Sequence, residues 1–166
     1  MATFKFQPLV NDPMADIVTA PLGASAGATF TDSDTNKAVK LSTGDKYAPC
    51  ADGDHIDGFV IAVTTDQPTV NEGFNIGSVQ KSKRIIVQVV AGGTTLAVGD
   101  KVVSGTPLAV GTAGKAQVKK LVIATADLAT VIAFVNANYA KPVWQVISLL
   151  TGTGAATENV LIERVI

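Results

Sequence analysis

The chain has 166 residues, enough for about one domain with a core of its own, so folding demands neither a metal nor a disulfide. Charged residues are only 16%, and 13 basic against 14 acidic side chains leave a net charge of −1, with no basic excess to neutralise the phosphates of a nucleic acid. Cys50 is the one cysteine and His55 the one histidine, which excludes an intrachain disulfide and leaves most acid–base chemistry to carboxylates.

Residues 1–22 read as an extended arm. Phe4 and Phe6 alternate with Thr3, Lys5 and Gln7, as in a strand. Pro8, Pro13 and Pro21 then stop a central strand or a long helix. With Leu9 and Val10, the phenylalanines give an apolar arm suited to edging its own sheet or to adding a strand to a neighbouring chain. The start of the chain lacks the apolar stretch of a signal peptide, and no apolar run reaches the ~18 residues of a membrane span. A soluble protein made in a cytoplasm is expected.

Residues 23–166 read as a single β-rich domain. Small polar residues at 23–36 predict a loop or a loose strand pair, followed by a short strand at Ala38–Leu41 and another near Lys46–Ala48. Gly58–Val63 is a continuous apolar run, the pattern of a buried strand; Phe74–Gln80 and Arg84–Val90 follow. Short strands are predicted at 102–104 and 107–110, with a longer one at 116–123. Leu41-Ser-Thr-Gly44-Asp45-Lys46-Tyr47 echoes Leu96-Ala-Val-Gly99-Asp100-Lys101-Val102, and we read the echo as one turn device used twice. One helix is predicted near 126–138. Thr125 caps it, Leu128, Val131, Ile132 and Val135 share a face expected to pack on the core, and Pro142 lies beyond its end. Val143–Leu150 and Asn159–Ile166 then form a C-terminal hairpin. The predicted class is all-β in the main, a small barrel or sandwich of short strands. The low charge leads us to expect that part of its surface is covered by other copies of the chain.

Three clusters resemble sites, and each falls short of one. Asp32-Ser33-Asp34-Thr35-Asn36 has the first spacings of a calcium loop, but Lys37 stands where glycine belongs and Thr43 where the bidentate glutamate belongs. Asp52, Asp54, His55 and Asp57, with Cys50 nearby, are the densest group of possible ligands, yet no second cysteine or histidine completes a tetrahedral set. Cys50 and His55 lie in one short segment without the supporting groups of a nucleophilic pair. Gly152-Thr-Gly154-Ala-Ala-Thr157 lacks the third glycine and the helix of a dinucleotide fingerprint. No catalytic residue, cofactor or metal is assigned.

The run from Gly44 to Val63 followed by Leu96 to Val118 resembles the head decoration, or capsid cement, proteins of tailed bacteriophages; the matching features are Gly44-Asp45 with its strand, Asp57-Gly58-Phe59-Val60 with the apolar strand after it, Leu96-x-x-Gly99-Asp100-x-Val102, Thr106-Pro107-Leu108 and the Gly111–Gly114 turn. About a third of the chain takes part; the helix and the final hairpin do not. The resemblance implies a non-enzymatic, all-β virion protein that binds the outer capsid surface, commonly as a homotrimer, and clamps neighbouring major capsid subunits. It implies an arm lying on the capsid, here with Phe4, Phe6, Leu9 and Val10 as contact residues. A trimeric phage tail or spike component is the alternative. A small trimeric β-fold hydrolase using Asp52, Asp54 and Asp57 is a more distant one.

Overall fold

The computed structural model describes residues 17–23, 30–42, 46–64, 74–81, 84–106, 109, 111–122, 128–129, 131–133 and 143–165. Among them run ten strands: β1 (Ile17–Gly23), β2 (Ala38–Leu41), β3 (Tyr47–Pro49), β4 (Gly58–Thr64), β5 (Phe74–Gln80), β6 (Arg84–Val89), β7 (Lys101–Ser104), β8 (Gln117–Lys120), β9 (Val143–Leu149) and β10 (Asn159–Val165). A 3-10 turn at Asp32–Asp34 precedes β2. The chain is mainly β, as its short apolar runs and turns lead one to expect, and its strands close two small barrels. Around the first the order is β1-β3-β2-β4-β5; around the second it is β6-β8-β7-β9-β10.

The two barrels are one design used twice. In each, the first strand pairs parallel with the third and antiparallel with the fifth. In each, the second strand pairs antiparallel with the third and fourth, and the fourth with the fifth. The registers agree as well. Setting Leu22↔Tyr47 on Val89↔Val118 also sets Leu41↔Tyr47 on Ser104↔Val118, and Val39↔Gly58 on Val102↔Trp144. Even the irregularity recurs: the ladder skips Ile61 between β4 and β5, and Ile147 between β9 and β10. Inward positions correspond pair by pair: Leu22 with Val89, Val39 with Val102, Tyr47 with Val118, Val60 with Val146, Val79 with Ile162, all buried. The Gly-Asp-Lys echo is not this repeat. Its copies lead into β3 and β7, which are not equivalent strands, since β7 corresponds to β2.

A barrel this small has little interior, and the pair share one. The larger apolar cluster draws Ala38, Cys50, Ile56 and Phe59 from the first barrel and Val87, Leu96, Val118, Trp144 and Ile162 from the second. Trp144 and Phe59 meet edge to face at 4.9 Å, and the indole Nε1–H donates to the Ile56 carbonyl across the seam at 3.2 Å. A second cluster, Leu22, Phe30, Val39, Tyr47, Val60, Val63 and Val79, fills the first barrel. Gly77 lets Leu22 in: a Cβ there would stand 2.3 Å from Leu22 Cδ1 and 2.7 Å from the Ala62 carbonyl oxygen.

Three expectations change. Residues 17–22 of the expected arm belong to β1, with Pro21 opposite Ile76. The proline is tolerated because β1 meets β3 only through Leu22↔Tyr47, so that flank of β1 has almost no ladder to lose. Residues 1–16, with Phe4, Phe6, Leu9 and Val10, lie outside the described residues. Residues 128–129 and 131–133 are helical as predicted, but Leu128 and Ile132 face solvent instead of the core. Of the strand expected at 107–110, only Ala109 is described, and it is not in a strand.

Trp144→Phe should cost about 2–3 kcal/mol, because it leaves the Ile56 carbonyl without its donor and opens a gap in the shared core. Trp144 is the only tryptophan, so urea unfolding followed by far-ultraviolet circular dichroism is the measurement. A loss below about 0.5 kcal/mol, the scale of an ordinary surface change, would remove Trp144 from this role.

Candidate interaction surfaces

Two of the segments singled out for chemistry, Asp32–Asn36 and Asp52–Asp57, are built into the seam between the barrels. Asp34 is fully buried at the 3-10 turn. Its Oδ2 accepts the Thr31 N–H at 2.7 Å, and its Oδ1 accepts the Gly111 N–H of the second barrel at 2.7 Å. The cation that Asp34 meets is the Lys37 ammonium, 2.5 Å away, in the place where a calcium loop would need glycine. Lys37 is itself buried and also donates to the Ala109 carbonyl. Burial alone would raise the Asp34 carboxyl. Lys37 and the Thr31 and Gly111 N–H groups outweigh burial and hold it below the ordinary carboxylate range.

The acidic stretch Asp52–Asp57 does not converge on a point. Asp52 pairs with Lys119 of β8 at 2.6 Å. Asp54 accepts the Ala51 N–H and pairs with Lys40, each at 2.6 Å. Asp57 accepts the Leu41 N–H at 2.8 Å and lies 3.6 Å from His55 Nε2. Among the described residues no group of three or more acidic, cysteine or histidine side chains is placed to hold a metal. The backbone here binds the second barrel instead: Gly53 N–H donates to the Ser104 carbonyl at 2.8 Å, and Ser104 N–H to the Asp54 carbonyl at 3.0 Å. Cys50 is buried against this loop, its thiol bonded to the His55 carbonyl at 3.6 Å. Burial, with Asp54 and Asp57 nearby, pushes that thiol far above its ordinary range, so it stays protonated and is a poor nucleophile. A seam cavity of about 20 Å³, lined by Lys37, Cys50, Ser104, Lys115 and Gln117, has room for about one water.

The Gly152–Thr157 loop, which resembles a phosphate-binding turn in outline, is wrapped around a carboxylate of its own chain. Glu158 Oε2 accepts the N–H groups of Thr153, Gly154 and Ala155 at 2.7 to 3.1 Å. Those donors are therefore occupied by an anion that belongs to the fold. Gly154, at φ +74°, sits so close that a Cβ would stand 2.0 Å from the Leu96 carbonyl oxygen.

Among the described residues several large aliphatic side chains stand open to a partner. Val98, Val122, Leu128 and Ile132 are all more than half exposed. On the outside of the second barrel Ile86 lies opposite Leu161, where the equivalent pair of the first barrel is Thr19 and Ser78. The exposed aliphatics were missed in the sequence because a periodic apolar face looks the same whether the core or a partner covers it. Comparison of the chain with family models, curated proteins and solved structures returned no match.

Lys37→Met should destabilise the protein by about 3–5 kcal/mol, since it strands the buried Asp34 carboxylate, and adding Asp34→Asn should recover part of the loss. The folded-state pKa of Asp34 is depressed below 3.8, so its contribution is complete above that pH and is lost as pH falls through the folded value. Asp34→Asn should therefore flatten the acid limb of a stability-against-pH curve below about pH 4. An acid limb identical to that of the unchanged protein would show that Asp34 is not held as described.

Proposed function

We propose that the chain is a structural virion protein. It binds the outer surface of a bacteriophage head as a homotrimer, cements neighbouring major capsid subunits and stabilises the shell. One observation carries this reading: the segments that bear the resemblance supply both sides of the seam. Gly53, Asp54, Ile56 and Phe59 come from one, and Leu96, Ser104, Ala116 and Val118 from the other. The resemblance thus lies in the frame that joins the barrels, where a shared architecture would have to lie.

The character of the surface supports the same reading. Asp52, Asp54 and Asp100 each pair with a lysine of the chain. A neutral surface suits packed contacts repeated over a lattice, where several weak attachments gain by avidity. Under this reading Phe4, Phe6, Leu9 and Val10 contact the capsid, and their burial is completed only on the assembled head.

Purified protein mixed with expanded heads should co-sediment with them. Phe4→Ser together with Phe6→Ser should lower that affinity at least tenfold while leaving the melting temperature unchanged. Failure of the unchanged protein to sediment with either expanded or unexpanded heads would end the proposal. Full binding by the double variant would end the arm's part in it.

A further inference from the structure

No further inference is drawn: the strongest candidate, the aliphatic pair Ile86 and Leu161 on the outer face of the second barrel, where the equivalent positions of the first barrel hold Thr19 and Ser78, is an apolar sheet face with nothing in the structure to show what covers it.

Discussion

Trp144 is the contact on which the two-barrel arrangement depends. A five-stranded barrel of strands this short encloses too few side chains to offset the entropy of ordering its own chain. The indole at the start of β9 removes that difficulty by belonging to both barrels at once. Its ring packs edge-on to Phe59, and its N–H satisfies the Ile56 carbonyl in a place water does not reach. The equivalent position in the first barrel is Gly58, where a Cβ would stand 2.5 Å from Val79 Cγ1. The duplicated design is thus broken at one point: one copy supplies a large ring and the other supplies room. Two indoles at these positions would not fit, and two glycines would leave the shared core short of volume.

Three of the turn carboxylates follow one rule. Asp34, Asp54 and Asp100 each accept the N–H three residues earlier, which fixes a turn, and each is then neutralised by a lysine. A carboxylate used in this way serves as a turn lock and gives up its capacity to hold an ion or move a proton. The calcium-like spacing at Asp32–Asn36 and the dense acids at Asp52–Asp57 have the same explanation. Turn chemistry and metal chemistry draw on the same residue types, and in this chain lysines and backbone amides occupy the oxygens.

Much of the framework was legible in the sequence. The apolar run Phe59–Val63 and the alternation in Arg84–Val89 each specify a strand through the period of their side chains, and both strands form. The duplication was not legible, because equivalent positions share burial and little else. Leu22 corresponds to Val89, Thr19 to Ile86 and Ile17 to Arg84; barrel closure requires only that a side chain point inward and be apolar. The one textual echo misleads, since Gly-Asp-Lys is a turn device that any strand entry can use. The candidate surface was half legible. The period placed Leu128 and Ile132 on one face of a helix, but period carries no information about what lies opposite that face. Phe4, Phe6, Leu9 and Val10 rest on the sequence alone.

Neutrality links the fold to the kind of association open to it. Lys37, Lys40, Lys119 and Lys120 are each paired with an acid of the same chain, and the net charge is −1, so the chain carries little net charge with which to steer an encounter. Contacts made by the remaining surface must draw on area and shape. Such contacts are individually weak and depend on close fit, and they become strong only when several close together, in a symmetric oligomer or on a repeating lattice. A rigid two-barrel body favours that mode: with the seam fixed by shared core and backbone hydrogen bonds, the patches on either barrel are held at a constant spacing. Less freedom is then lost when they engage together.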